Sequence, residues 1–320
     1  RYASPHGHPD LLDALGARVS QRMGVVTQLN DIAVTAGATG GLYAVVAALV
    51  SPGDEVLILA PFWPLIAGMV RCCHGTPVPV PVDHDWTADE LIHALEAART
   101  PRTVALYLSS PNNPTGRVLP QSWLEAMGKL AEHAGLWLIS DEVYEDFVFT
   151  GVHVYMRSLC PERTFSAHSF SKAYGMAGNR VGYVVGPSKA MPHVRKVSTH
   201  SFYCAPRASQ VAALRVLEVG DAWQQQARRK YMELGRFSAN ALGIPSPEGS
   251  TFLFLDVANQ LDDGGLLVFL QTCANRGLFI APGTSFGPYP THVRICFTSA
   301  PPDVVERGVG VLANILGYSD

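Results

Sequence analysis

Leu136-Trp137-Leu138-Ile139-Ser140-Asp141-Glu142 is the stretch from which the fold is read. Four apolar residues in succession leave no polar face for water, so the run reads as a strand buried on both sides. It ends on carboxylates. A carboxylate closing such a strand is poorly solvated and needs a partner. Working outward, Val104-Ala105-Leu106-Tyr107-Leu108 and Glu55-Val56-Leu57-Ile58-Leu59-Ala60 are runs of the same kind. Residues 32–35, 77–82 and Tyr183-Val184-Val185 read as further strands. Helical patterns fall between them, over 9–23, from 37 to about 50, up to about 73, and over 87–99 and 120–133. Continuous apolar strands alternating with helices predict a mostly parallel sheet covered on both faces, a three-layer α/β/α domain.

Beyond residue 185 the pattern changes. Longer helices are expected at 188–198, 206–219 and 221–242. Strands at 252–257, 278–280 and 293–297 follow, with helices at 265–276 and 302–316. The expected division lies near Gly220: a large α/β domain over 1–220 and a smaller α+β domain over 221–320.

The 320 residues are 48% hydrophobic and 16% charged, with a net charge of −3. That composition supports a large buried core and excludes a nucleic-acid surface or a polybasic membrane patch. Six cysteines without C-x-x-C spacing point to free thiols in a reducing compartment, consistent with a cytoplasmic protein. The histidines show no metal-binding spacing, and no metal is expected.

In an open parallel sheet a ligand lies beyond the carboxyl ends of the strands. The residues there form a series. Gly37-Ala38-Thr39 opens a helix, whose exposed amides make an anion site. Trp63 follows the second strand and can lie flat on a planar ring. Asn112-Asn113-Pro114-Thr115-Gly116 is a turn able to aim an amide donor. Asp141 ends its strand, with Tyr144 three residues on. Taken singly, each is ordinary: a helix cap, a core aromatic, a turn, a salt bridge.

Ser169-Phe170-Ser171-Lys172, followed by Arg180, adds hydroxyls, a lysine and an arginine. Hydroxyls and a bidentate cation suit a phosphate ester. A lysine among them suits a Schiff base with an aldehyde. An aldehyde and a phosphate on one cofactor describe pyridoxal 5′-phosphate. On this set the chain resembles the fold-type I pyridoxal-phosphate enzymes of the class I/II aminotransferase group, from Tyr2 to the C-terminus.

The resemblance implies a role for each matching position. Lys172 is the Schiff-base lysine and the catalytic base. Asp141 pairs with the ring nitrogen. Asn113 and Tyr144 bond the ring's phenolic oxygen, and Trp63 stacks on the ring. Gly37, Ala38, Thr39, Ser169, Ser171 and Arg180 hold the phosphate. Arg294 takes the substrate carboxylate. Tyr2, in Tyr2-x-x-Pro5-x-Gly7, reaches the phosphate of the neighbouring subunit in a homodimer. The implied activity is transfer of an amino group between an α-amino acid and a 2-oxo acid, by a ping-pong mechanism. A lyase, cyclase or decarboxylase would use the same lysine, aspartate and arginine. A regulator using the domain as a ligand sensor would need a basic helix-turn-helix ahead of it. Family members usually begin several dozen residues earlier, so an N-terminal segment that covers the substrate is expected to be missing from this chain.

Overall fold

The computed structural model describes residues 2–318. Arg1 and the last two residues, counted in the two expected domains, lie outside it. Seven strands make the main sheet: β1 (Ile32–Thr35), β2 (Glu55–Ala60), β3 (Thr76–Pro81), β4 (Thr103–Ser109), β5 (Trp137–Asp141), β6 (Thr164–Ser169) and β7 (Gly182–Val185). Their order is β1-β7-β6-β5-β4-β2-β3. The pairs from β3 across to β6 are parallel, and β7 runs antiparallel to both of its neighbours.

The central strands are buried on both faces because each face meets a layer of helices. One apolar core holds Val45, Ile66, Val70, Ile58 and Ile139. The opposite one holds Leu91, Leu95, Trp123, Leu57 and Leu138. This is the expected three-layer arrangement.

Two expectations need correction. β6 was not anticipated. Thr164-Phe165-Ser166-Ala167-His168-Ser169 alternates polar and apolar residues, the pattern of a half-exposed strand. Here both faces are buried, and the polar face is satisfied from within: the Ser166 hydroxyl donates to Glu142 Oε1 at 3.2 Å, and His168 Nδ1 lies 3.1 Å from Glu145 Oε1. The strand expected at 278–280 is absent. The Leu278 amide donates to Cys273 O, closing the helix Gly265–Asn275, and the strand β9 covers only Ala281–Pro282.

β8 (Phe252–Asp256), β9 and β10 (His292–Cys296) form a separate antiparallel sheet in the order β8-β10-β9. The helices Asp221–Ala241 and Pro302–Leu316 contribute to a core with β8 and β10 that also takes in Tyr144, Phe147 and Phe149. Gly220 joins the helices Arg207–Val219 and Asp221–Ala241.

Candidate active site

A cavity of about 310 Å³ opens at the carboxyl end of the main sheet. Ala38, Thr39, Trp63, Asn113, Asp141, Tyr144, Ser169, Ser171, Lys172, Arg180 and Arg294 all line it. The sequence candidates therefore converge, apart from Gly37 and Tyr2. Gly37 stands directly behind the lining. Tyr2 is 85% exposed, with its ring edge-on to Tyr203 at 5.4 Å, outside this chain's own cavity.

The anion end is built by close approach. Gly37, at φ 71°, opens the helix Gly37–Leu49. A Cβ there would fall 2.4 Å from an Arg180 guanidinium nitrogen, so the glycine is what lets arginine lie against the helix start. No side chain caps that helix, which leaves its first amides and its positive dipole end facing the cavity. Gly182 does the same from β7, since a Cβ there would lie 2.7 Å from the Ala38 nitrogen. Arg180 is held by its own bond to Ala177 O at 2.8 Å and by a long one to Ser171 Oγ at 3.5 Å. Ser169 caps the short helix Phe170–Ala173 by accepting from the Ser171 amide at 3.0 Å. That helix presents Lys172.

Lys172 has no carboxylate within salt-bridge distance among the described residues, and its Nζ sits 5.6 Å from the centre of the Tyr144 ring. Burial pulls its pKa below the usual lysine value, toward a neutral, nucleophilic amine. Asp141, 4% exposed, ends β5, and burial pushes its pKa up to about 6. Tyr144 is buried beside Thr251, and loss of solvent raises its pKa as well.

Arg294 arrives from β10, on the other sheet. Its guanidinium lies between the rings of Phe252 and Phe286, at 4.3 and 4.6 Å from their centres. NH1 donates to Asn113 Oδ1 at 3.0 Å, while the buried Nε finds no acceptor among the described residues. The Asn113 amide oxygen is thus engaged, and its Nδ2 is the side left for a ligand. Asn112 does different work: its Oδ1 accepts from the Thr115 amide and hydroxyl at 3.1 and 2.9 Å, fixing the turn.

Three contributors were not anticipated. Phe252 and Phe286 hold Arg294, and Tyr107 bonds Asp141. Only Tyr107 left a sequence signal, as a polar group inside an aliphatic strand. A larger cleft of about 720 Å³ runs past Trp86, Phe254 and Tyr289, but it presents no lysine, and its Arg117 is paired with Glu248 at 3.2 Å. The smaller cavity has the chemistry.

Comparison with known proteins agrees with this geometry. The family described as aminotransferase class I and II matches residues 1–312. An aspartate/prephenate aminotransferase of Thermus thermophilus is 31% identical over 327 residues, covering 99% of this chain and 83% of that one. An arginine–pyruvate transaminase of Pseudomonas aeruginosa is 33% identical over 308 residues, covering 92% and 77%. Among solved structures, the Thermus thermophilus aspartate aminotransferase with maleate superposes with a TM-score of 0.90 at 30% identity, covering 98% of this chain and 84% of that one. N-succinyldiaminopimelate aminotransferase from Mycobacterium tuberculosis gives 0.91 at 29% identity, covering 98% and 85%.

Proposed function

This chain belongs to the class I and II aminotransferase family, and we propose that it moves an amino group between an α-amino acid and a 2-oxo acid using pyridoxal 5′-phosphate held in the cavity at Lys172. The observation that carries the proposal is geometric: Lys172 and Arg294 line one small cavity, and neither has a carboxylate partner among the described residues.

The residues present fit the cofactor. The glycine cradle, the uncapped helix start, Thr39, Ser169, Ser171 and Arg180 form a site for a phosphate dianion. Trp63 and Asp141 line the same cavity, where Trp63 would lie against a planar ring and Asp141 would pair with its nitrogen. Tyr144 and Asn113 Nδ2 can donate to a ring oxygen. When bound, the group supplies an electron sink for the substrate α-carbon.

The chain's own residues do the rest. Lys172 Nζ would hold the cofactor and would move the proton at the substrate Cα. Asp141 holds a proton at the ring nitrogen. Arg294 orients the substrate by a two-point grip on its carboxylate. Donor and acceptor use the one cavity in turn, so the kinetics are ping-pong. The cations lining it are Lys172, Arg180 and Arg294, and each already has a task, so a second carboxylate finds no reader among them.

The same proposal takes residues 1–220 and 221–320 as two domains and the working unit as a homodimer, with Tyr2 reaching the partner's phosphate site. Six free cysteines suit a cytoplasmic setting, and no helix among the described residues is long and apolar enough to cross a membrane.

The test is twofold. Borohydride reduction after loading with pyridoxal 5′-phosphate should attach the cofactor to the peptide bearing Lys172. In a separate, unreduced sample, an amino acid offered without acceptor should release one equivalent of its 2-oxo acid per site and no ammonia. Label on another lysine, or continuous release of ammonia as a lyase would give, overturns the proposal.

A further inference from the structure

β4 carries Val104, Ala105, Leu106, Tyr107 and Leu108 between Thr103 and Ser109. Tyr107 is completely buried. Packing alone would be met by phenylalanine, and a hydroxyl taken out of water costs free energy unless it is bonded. Its partner is Asp141. Parallel pairing sets Tyr107 opposite Ile139 and Ser109 opposite Asp141, so Tyr107 and Asp141 are diagonal neighbours on one face. An aromatic side chain spans that diagonal. The Tyr107 hydroxyl donates to Asp141 Oδ2 at 2.9 Å, whereas Oδ1 has, among the described residues, only the Val143 amide at 3.4 Å.

We propose that Tyr107 is a positioning residue whose hydroxyl holds one oxygen of Asp141 and keeps that carboxylate an anion facing the cavity. The inference rests on the role given to Asp141 above. The other titratable groups that bear on Asp141 are Glu142 beside it, His168 on β6, Tyr144 and Lys172. Burial drives the Asp141 carboxyl toward protonation, and Glu142 adds to that. Tyr107 is the foremost opposing influence, ahead of the Val143 amide and His168. Its own phenol is held protonated by burial and by the carboxylate, so it remains a donor. A protonated Asp141 would present its hydrogen to the ring nitrogen without a compensating negative charge. Tyr107 thus acts on the ring through Asp141, with no contact of its own.

The experiment reads Asp141 itself in cofactor-free protein labelled with ¹³C at the aspartate carboxyls, its signal assigned by loss in Asp141→Asn. Tyr107→Phe should move the Asp141 titration to higher pH. Replacing Tyr107 with 3-fluorotyrosine, a more acidic phenol and a stronger donor, should move it lower. Tyr107→Phe should weaken pyridoxal 5′-phosphate binding several-fold, and adding it to Asp141→Asn should weaken binding no further, because the effect runs through that carboxylate. An unmoved titration in either variant, or the same several-fold loss on top of Asp141→Asn, overturns the proposal. If Tyr107→Phe does not fold, the direction of the shift with 3-fluorotyrosine decides alone. Should Asp141→Asn leave cofactor binding and the amino-acid half-reaction unchanged, the functional proposal fails for a separate reason, visible without any change at Tyr107.

Discussion

Two groups of charge sit on opposite faces of β5 and β6. Asp141 faces the cavity, and its strand partner Ala167 packs in the apolar core on that side. Ser140, Ser166 and His168, on the other face, look onto a buried ionic cluster. In the cluster the ions are matched. Arg22 lies 3.1 Å from Glu145 and 2.7 Å from Asp146, Arg18 lies 3.2 Å from Asp146, and His168 and His153 each meet a glutamate at 3.1 Å. In the cavity, Lys172 and Arg294 have no acidic partner among the described residues, and Asp141 has a phenol. The pKa shifts divide the same way. Glu145 is held well below, and Arg22 above, their ordinary values by opposite charge, which locks both in charged form. Asp141 is raised, and Lys172 and Arg294 are lowered, because burial without a counter-ion disfavours charge. Matched charge fastens the helix Pro9–Met23 to the loop at 145–146. Unmatched charge is what a ligand with an anionic phosphate, a ring nitrogen and a carboxylate can satisfy.

The largest expected effect lies on the cavity side. Lys172→Ala should remove turnover by several orders of magnitude, since the proposed mechanism makes one amine both tether and proton carrier. The lysine makes no ion pair to lose, so the melting temperature of cofactor-free protein should hold or rise. Activity within tenfold of the parent, measured with added pyridoxal 5′-phosphate, would remove Lys172 from the centre of the mechanism.

A matched pair of substitutions breaks the comparison directly. Arg22→Met leaves Glu145 and Asp146 short of a counter-ion and should destabilise the fold by about 3 kcal/mol, as expected for stripping one partner from a buried network. Arg294→Met removes a cation that is buried without an acid. Relief of that burial opposes the lost ring contacts, themselves worth about 1 kcal/mol, so stability should change by no more than about 1 kcal/mol. Binding should respond in the reverse order: Arg294→Met should weaken every amino acid while sparing simple amines, and Arg22→Met should spare both. Urea unfolding and substrate titration of the two variants check the crossing. Equal stability losses would erase the distinction drawn between the two faces.

The main sheet was legible because its strands are aliphatic on both faces, a pattern few other structures share. Gly37, Trp63, Asn113 and Asp141 were legible because each closes or follows a strand that could be read, while Ser169 was read from the Ser169-Phe170-Ser171-Lys172 motif followed by Arg180. β6 was hidden for the opposite reason. Its Ser166 and His168 look solvent-facing until Glu142 and Glu145, brought in from the loop after β5, are seen to satisfy them. The cluster was illegible as a whole, because Arg18 and Arg22 sit on a helix far in sequence from Glu145 and Asp146, and only the fold brings them together. Tyr107 passed for core, since its partner is fixed only by the register of β4 against β5.

The smallest effect tests whether the cluster is held by charge or by shape. His168 is stacked on Tyr183 with ring centres 4.7 Å apart and is fully buried. It is faced by Glu145 and Glu142, which favour its protonation, by Arg22, which opposes it, and by Tyr155. Burial alone would lower its pKa, but the glutamates win and it is raised above the usual histidine value. A raised folded-state pKa means that the stabilisation is complete below the unfolded value near 6.5 and fades as pH climbs through the folded one. Glu145 behaves inversely: its contribution is present above its unfolded value near 4.5 and is lost as pH falls through its depressed folded value. The pair should therefore give a plateau in the mildly acid range, with one decline on the alkaline side from His168 and another, further down, from Glu145. His168→Asn keeps a polar group beside Glu145 but cannot titrate. Thermal unfolding of cofactor-free protein followed from pH 5 upward should show the alkaline decline flattened relative to the parent. If the two proteins keep parallel profiles, His168 is neutral throughout, and Glu145 is held by Arg22 and Arg18 alone.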